Sequence, residues 1–216
     1  GEAGYNMARI ATQIAGFPDT MGAATINRFC ASGLQTIVQG AHSVAHGMNQ
    51  VVLAGGSDCS SRVPMGGHQL AVNRDLYKVK PEAYMPMGQT AENVARQFGV
   101  SREEQDEMAV RSHTNALAAR EAGFFAGHVI PVETRRQNDD GEWETITLTE
   151  DEGPRPGTTM EVLAGLRTVF AEDEAATVTA GNSSPLNDGA AMSVVMNAEI
   201  AKSIGATPVA RLVQAA

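Results

Sequence analysis

The spacing of apolar residues in the first sixty positions predicts two helices and two strands. Residues 3–15 have helical spacing and end at a glycine followed by a proline, and residues 31–46 form a longer, more apolar helix. The short apolar runs at 22–27 and 50–56 are typical of strands, the second one broken by a double glycine. A strand, a helix and a strand within about 35 residues have the length of a βαβ unit, so we expect the two strands to pair in parallel.

The pattern changes over residues 61–177, where methionine, proline and charged residues become more frequent. A helix is predicted at about 90–98, and Ser101 with Glu104 forms the capping box of a second, longer helix. Two stretches of alternating polarity on either side of "QNDDGE" predict a β-hairpin. We therefore expect this part of the chain to be an excursion from the main sheet.

Apolar stretches near the end of the chain predict further elements. A short helix is expected at 159–166, and "ATVTAG" and "AAMSVVM" are expected to be buried strands. The final "PVARLVQAA" has the pattern of a strand with no partner after it, and the first residues already have helical spacing. We therefore expect the chain to be a piece of a longer protein.

Charge and composition argue against several classes of protein. The chain has 16 basic and 25 acidic residues, and its net charge of −9 lacks the basic footprint of a nucleic-acid-binding protein. Cys30 and Cys59 are too few for a disulfide framework and indicate a reducing compartment. No apolar run reaches the length of a membrane span. His42 and His46 have a spacing seen in metal ligands but no third ligand nearby, so we expect a polar helix face and no metal.

Cys30 lies between a predicted strand and the predicted helix at 31–46. The start of a helix carries a partial positive charge and free N–H groups, which favour a nucleophilic thiolate. The three residues that follow, Ala31, Ser32 and Gly33, are small enough for a bulky ligand to approach. A packed core cysteine is the alternative, because free cysteines are among the most buried residues.

Five segments of the chain resemble the thiolases, the enzymes that cleave or form 3-ketoacyl-CoA. These segments are "NRFCASGLQ", "VVLAGGSDCSS", "PMGQTAENVARQFGVSREEQDEMAVRSH", "DEGPRPGTTMEVLAGLRTVF" and "TVTAGNSSPLNDGAA". The resemblance implies an α/β fold with the layered α-β-α-β-α architecture of thiolases, represented by its first half only. It also implies an N-terminal thiolase domain at 1–60 and 178–205, a loop domain inserted at 61–177, and the start of a C-terminal domain at 206–216.

The resemblance also implies roles for five residues. Cys30 corresponds to the nucleophile that becomes acylated, and Met87 to a methionine beside the acyl pocket. Arg155 corresponds to a basic residue near the nucleotide end of CoA, and Ala180 and Ser184 to residues that line the pantetheine channel. A loop arginine exposed to solvent and a methionine in ordinary core packing are the respective alternatives for Arg155 and Met87.

The resemblance implies an acetyl-CoA C-acyltransferase that uses CoA as a substrate and needs no metal or redox cofactor. Pro86 stands where biosynthetic acetoacetyl-CoA thiolases typically carry histidine, which favours a degradative enzyme of fatty-acid β-oxidation. A biosynthetic thiolase, a non-catalytic thiolase-like module and a related carrier-protein condensing enzyme are the alternatives. A cytoplasmic homodimer or homotetramer is expected, with an organellar location left open. Pro185 departs from the family's usual glycine beside Ser184.

Three catalytic segments of thiolases have no counterpart in this sequence. They are a "GHP" segment with the base, an "NEAF" segment with an asparagine, and a glycine-rich segment with a second cysteine. Cys59, in "SDCSS", does not resemble that last segment, and His68, His113 and His128 are assigned no chemistry. We therefore expect the 216-residue chain by itself to have no measurable turnover.

Overall fold

The structure, a computed structural model, describes residues 4–215. The chain divides into two compact units, Gly1–Ala71 with Leu186–Ala216 and Val72–Pro185, and each is described by itself. Seven α-helices lie in the described residues: α1 Met7–Ile14, α2 Ser32–Ala45, α3 Arg74–Val79, α4 Met87–Phe98, α5 Arg102–Glu121, α6 Met160–Ala164 and α7 Ala198–Ser203. Short 3-10 turns span Phe29–Ala31 and Pro81–Tyr84.

Each unit contains one antiparallel strand pair. In the first unit, β1 (Val51–Cys59) pairs with β4 (Asp188–Met196), with Val51 opposite Met196 and Cys59 opposite Asp188. In the second unit, β2 (Val132–Gln137) pairs with β3 (Trp143–Leu148) and forms the predicted hairpin. The predicted domain boundaries stay predictions, because the limits of the two compact units do not test the limits of the family's domains.

The predicted strand at 22–27 is wrong, and so is the parallel βαβ unit that depended on it. The described residues contain no strand beside this segment, so its backbone has no ladder to join. It bonds instead to the start of α1, where Asn6 Nδ2 donates to the Ala23 carbonyl at 2.8 Å. The Ala8 N–H donates to Thr25 Oγ1 at 3.0 Å, so two side chains fix the segment as an extended connection.

The double glycine does not break β1, which continues to Cys59. A Cβ atom at Gly55 would overlap the Ala191 carbonyl and the Met192 side chain, so glycine permits the close pairing with β4. The partner strand is confirmed at "AAMSVVM", but the expectation of burial is wrong. Met192 and Val194 are 63% and 56% exposed because their face is not covered by other described residues.

Two other strand predictions fail, at "ATVTAG" and at "PVARLVQAA". The first segment is buried at Val178 and Thr179, yet it forms only an isolated bridge from Thr179 to Thr168. Its remaining polar groups bond to side chains instead of to a neighbouring strand. The second segment has no strand over its described part, 208–215, where no partner strand lies beside it.

The helix predictions are confirmed, with shifts at the ends. The helix expected at 3–15 begins only at Met7, and residue 3 lies outside the described residues. α4 begins at Met87, three residues earlier than expected, and α6 is shorter than the predicted 159–166. The capping box of α5 is complete, since Ser101 Oγ accepts from the Glu104 N–H and the Glu104 carboxylate accepts from the Ser101 N–H. These hydrogen bonds lower the pKa of the Glu104 carboxyl, the backbone N–H of Ser101 having the larger effect.

The cores of the two units differ in composition. In the first unit, α2 packs on β1 through Gly40, whose missing side chain makes room for Val52, and Ala54 is buried between the elements. In the second unit the buried residues include polar and charged groups as well as apolar ones. These are Ala95, Leu163 and Val178 with Glu92, Asp106 and Thr179.

Candidate active site

Cys30 lies in the 3-10 turn that leads directly into α2, and its side chain is exposed. The preceding residue, Phe29, has a φ of 49° and is the single non-glycine residue with positive φ among residues 4–215. Such a backbone conformation costs of order 1–3 kcal/mol and persists where surrounding contacts impose it. The structure thus places Cys30 at a helix start, as predicted, and exposes it among the described residues, while its role as nucleophile stays a prediction.

Short hydrogen bonds within the turn impose this conformation. Asn27 Oδ1 accepts from the Phe29 N–H at 2.8 Å. Ser32 Oγ accepts from the Arg28 N–H and donates to the Phe29 carbonyl, both at 2.7 Å. The turn therefore closes on itself through the side chains on either side of Cys30.

The Cys30 N–H has no acceptor among the described residues. It lies at the entry to a helix of 14 residues, where unpaired N–H groups carry the positive end of the helix dipole. An anion that forms next to the Cys30 sulfur would therefore find an available donor. This arrangement is suited to nucleophilic attack followed by stabilisation of an oxyanion.

The second cysteine has different surroundings. Cys59, at the end of β1, is half-buried, and its sulfur lies 3.5 Å from Asp188 Oδ2 as a hydrogen-bond donor. Asp188 also accepts from Ser61 Oγ at 2.6 Å and from the Ser61 N–H at 2.8 Å. These two bonds, the hydroxyl first, lower the pKa of the Asp188 carboxyl. Asp188, at the start of β4, therefore bonds both to Cys59 at the end of β1 and to Ser61.

Met87 is the first residue of α4, and its side chain is 70% exposed. Among the described residues Met87 is therefore not packed in a core, and its place beside the acyl pocket stays a prediction. The next residue, Gly88, allows the helix to approach Phe170 so closely that a Cβ atom there would overlap the aromatic ring. A larger residue at position 88 would displace the start of α4, so the glycine fixes where Met87 lies.

Arg155 is exposed, and its guanidinium forms no ion pair within the described residues. Its backbone is held on both sides. The Arg155 N–H donates to His113 Nδ1 at 3.1 Å, and Thr158 Oγ1 donates to the Arg155 carbonyl at 3.0 Å. His113, to which the sequence assigned no chemistry, therefore supports the loop while the charged group stays available for an anion.

Ala180 and Ser184 are exposed residues of one tightly bonded segment. Thr179 has no exposed surface, and its hydroxyl accepts from the N–H groups of Gly181 and Asn182. The Thr179 N–H in turn donates to Asn182 Oδ1 at 2.8 Å. The segment is thus a compact turn that presents Ala180 on its surface.

Two buried carboxylates that the sequence analysis did not single out hold this turn. Glu92 of α4 and Asp106 of α5 are each 2% exposed, and both bond to residues of the turn. Their burial could have been suspected from the sequence, because both lie on predicted helices. An acidic residue on the buried face of such a helix requires a polar partner. The segment that supplies the partners lies far along the chain.

The structure places Met87, Arg155, Ala180 and Ser184 in the second unit and Cys30 in the first. Within the second unit, α4 links two of these sites, since it begins at Met87 and carries Glu92, which bonds to the turn of Ala180.

Among residues 4–215, no three His, Cys, Asp or Glu side chains are grouped so as to hold a metal ion. The expectation that no metal or cofactor is needed stays a prediction. No helix in the described part of the chain is long and apolar enough to cross a membrane.

An exposed cysteine at a helix start is one of the settings in which a thiol can act as a nucleophile. Comparison with known proteins then gives the family. A model of the thiolase N-terminal domain matches residues 1–199, and the chain belongs to the thiolase family. The predicted thiolase-like α/β fold is confirmed, and the chain covers the N-terminal part of that fold.

Individual relatives agree with this assignment. A protein of Bacillus subtilis (strain 168) named "3-ketoacyl-CoA thiolase" is 45% identical over 214 residues, which cover 97% of this chain and 54% of the relative. A "Probable acetyl-CoA acyltransferase" of Staphylococcus aureus (strain COL) is 41% identical over 221 residues, covering 97% and 55%. The crystal structure of the Bacillus anthracis acetyl-CoA acetyltransferase superposes with a TM-score of 0.77 at 39% identity, covering 94% of this chain and 52% of that one. The chain spans about half the length of these relatives.

Proposed function

We propose that this chain supplies the nucleophile and CoA-binding loops of a thiolase that cleaves 3-ketoacyl-CoA with CoA. The products would be acetyl-CoA and an acyl-CoA shortened by two carbons. The observation that carries the proposal is the exposed Cys30 at the start of α2, held in place by the bonded turn around Phe29. The similarity to a protein named "3-ketoacyl-CoA thiolase" supports the choice of substrate.

The proposed reaction has two covalent steps. In the first, the Cys30 sulfur, as thiolate, attacks the C3 ketone carbon, and the Cys30 N–H donates to the resulting oxyanion. The oxyanion collapses to an acyl thioester, the C2–C3 bond breaks, and its electron pair leaves on C2 as an enolate that a proton donor converts to acetyl-CoA. In the second step, the thiol of a new CoA gives up its proton and attacks the thioester, which returns the thiolate of Cys30 and releases the shortened acyl-CoA.

The remaining residues would bind the two ends of CoA. The free guanidinium of Arg155 is suited to the phosphates of the nucleotide, because arginine offers fixed donors to a polyphosphate. Ala180 and Ser184 would lie along the pantetheine arm, and Met87 beside the acyl group. We assign the proton donor and the base to no residue of this chain, and we propose that residues 1–216 by themselves are inactive. We also propose that the reaction needs no metal or redox cofactor and that the enzyme is a homodimer or homotetramer.

The second candidate is a biosynthetic enzyme that condenses two acetyl-CoA molecules to acetoacetyl-CoA. The structural similarity to an acetyl-CoA acetyltransferase favours it. Pro86, immediately before α4, favours the degradative enzyme by the sequence argument, so we place that reaction first. A non-catalytic module is less suited to the observations, because it would have no use for an exposed thiol on a strained turn.

The test is to express the protein as its gene encodes it and to assay cleavage of 3-ketoacyl-CoA substrates of four to sixteen carbons. Efficient cleavage of medium and long chains supports the degradative enzyme, whereas activity on acetoacetyl-CoA alone supports the biosynthetic one. Mass spectrometry after mixing with substrate should find the acyl group on the peptide that contains Cys30. An unmodified Cys30 and turnover equal to a Cys30→Ala variant would contradict the proposal, and the non-catalytic module would then be preferred.

A further inference from the structure

We propose that Glu92 is a positioning residue that fixes the turn of Ala180 and thereby sets the affinity for the pantetheine part of the substrate. This inference rests on the proposed function, which gives the turn its role in binding CoA. Glu92 itself contacts no substrate in this scheme. It acts through the backbone of Thr177 and Val178.

The burial of Glu92 is unusual, because glutamate side chains are mostly exposed in folded proteins. Its side chain is 2% exposed and lies on α4, 85 positions before the first of the residues that it binds. Oε1 accepts from the N–H of Thr177 at 3.1 Å and of Val178 at 2.9 Å. Oε2 accepts from the Thr177 N–H at 3.0 Å and from Thr177 Oγ1 at 3.1 Å. One carboxylate thus bonds to two consecutive peptide groups and one hydroxyl.

All these partners can act as donors, so an ionised carboxylate satisfies them without any proton of its own. Glu92 forms no ion pair within the described residues, and the N–H dipoles take the place of a cation. Burying an ionised group is costly unless it is fully hydrogen-bonded. Glu92 therefore favours a single arrangement of the backbone at Thr177 and Val178, because only there do the donors meet the carboxylate.

Asp106 holds the other end of the same turn. Asp106 Oδ1 accepts from Asn182 Nδ2 at 3.0 Å, and Asp106 Oδ2 accepts from Arg102 Nε at 2.7 Å. Asn182 Nδ2 also donates to the Thr177 carbonyl at 3.0 Å, so both ends of the turn are joined. Ala180 lies between these two attachments and is exposed. A shift of the Glu92 attachment would therefore displace Ala180 directly.

The conservative substitution Glu92→Gln provides a sharp test. The glutamine oxygen can take the place of Oε1 and accept from Thr177 and Val178. Its NH₂ group loses the bond that Oε2 accepts from the Thr177 N–H and donates instead to a rotated Thr177 hydroxyl. Glu92→Gln should therefore keep the affinity within about threefold of the native value. Glu92→Ala, which leaves two peptide N–H groups without acceptors, should raise the dissociation constant about tenfold or more. Adding Thr177→Val to Glu92→Gln removes the last acceptor of the NH₂ group and should weaken binding again.

The measurement uses the protein as its gene encodes it, with CoA and free pantetheine as ligands in calorimetry and with a short pantetheine thioester as substrate. Glu92→Ala should weaken CoA and pantetheine by the same factor and raise KM more than it lowers kcat. The rate at which iodoacetamide alkylates Cys30 should not change. Hydrogen exchange of the peptide at 175–184 should become faster, whereas Glu107→Ala, an exposed carboxylate on α5, should change none of these quantities.

Several outcomes would overturn the inference. These are a loss of kcat with unchanged affinity, weaker CoA binding with unchanged pantetheine binding, or a native protein that does not bind pantetheine. Native binding without turnover would contradict the proposed function alone and leave this inference standing. If Glu92→Ala does not fold, the comparison of Glu92→Gln with and without Thr177→Val decides, and equal affinities in that pair would overturn the inference.

Discussion

The turn that carries Cys30 and the turn that carries Ala180 are held in opposite ways. All the side-chain hydrogen bonds of the Cys30 turn join residues within the stretch from Asn27 to Gln35. The Ala180 turn instead depends on Glu92 and on Asp106, which lie 76 to 86 positions away along the chain. The first turn is exposed and locally determined, whereas the second is anchored by buried side chains and depends on tertiary structure.

This difference matches the chemistry proposed for each turn. A nucleophile needs access and a defined direction of attack, and a short strained turn at a helix start provides both. A channel for a long flexible arm needs a wall whose shape does not change when the arm enters, and buried hydrogen bonds provide that rigidity. Substitutions in the two regions should therefore have different effects, on chemistry in the first and on stability and binding in the second.

The largest effect should come from Cys30. In the protein as its gene encodes it, Cys30→Ala should lower turnover by roughly 10⁴–10⁶-fold, because the covalent step is lost. KM and thermal stability should change little, since the side chain is exposed. Iodoacetamide at neutral pH should label Cys30 before the half-buried Cys59, as peptide mapping can show, and acyl-CoA should protect it. Cys59→Ser should remain active, and preferential labelling of Cys59 would contradict the assignment.

The second effect concerns the buried ion pair of Asp106. Asp106→Asn places an NH₂ group against Arg102 Nε. The Arg102 cation then loses the carboxylate of Asp106, which is 2% exposed in the native protein. We expect a loss of about 3 kcal/mol in the free energy of unfolding, measured by urea denaturation. The matched control is Glu144→Gln, in the exposed pair with Arg136, which should cost less than about 1 kcal/mol. Equal costs would show that the Ala180 turn does not depend on its buried polar contacts.

The third effect should separate binding from positioning. Arg155→Ala should weaken CoA substrates by about 1.5–3 kcal/mol, the value of a hydrogen bond to a charged group, and spare short pantetheine thioesters. Stability should not change, because the guanidinium forms no ion pair within the described residues. Arg135→Ala, which removes an exposed arginine near Trp143, is the control and should leave KM unchanged. Equal losses of affinity for CoA substrates and for pantetheine thioesters would mean that Arg155 does not bind the nucleotide end of CoA.

The contrast between the two turns also explains what the sequence could predict. The nonapeptide from Asn27 to Gln35 contains every side chain that shapes the Cys30 turn, so its structure could be inferred locally. The capping box at Ser101 and the hairpin at Gly141 are local in the same sense, and both were predicted correctly. Each depends on contacts a few positions apart.

The wrong predictions concern segments whose structure depends on contacts distant in the sequence. "GAATIN" and "ATVTAG" have the apolar content of strands, but a strand exists only if another strand pairs with it, and none does so in the described residues. Their backbone groups bond to side chains such as those of Asn6 and Glu92, which periodicity cannot reveal. β1 and β4 were found as strands, yet the antiparallel pairing depends on partners at least 129 positions away, beyond the reach of a local pattern.

The smallest effect should be the pH dependence of the contact between Asp188 and Ser61. The hydroxyl and the N–H of Ser61 hold the pKa of the Asp188 carboxyl below the ordinary aspartate value of about 3.9. A carboxyl with a depressed pKa in the folded state stabilises the protein above its unfolded pKa, and this contribution is lost as the pH falls through the folded pKa. Ser61→Ala should therefore be less stable than the native protein at pH 7, with the same deficit at pH 5 and a shrinking one below about pH 4. Urea midpoints at several pH values measure it, with Ser60→Ala as the control. A deficit that persists unchanged to pH 2 would mean that Ser61 acts through packing and not through the carboxylate.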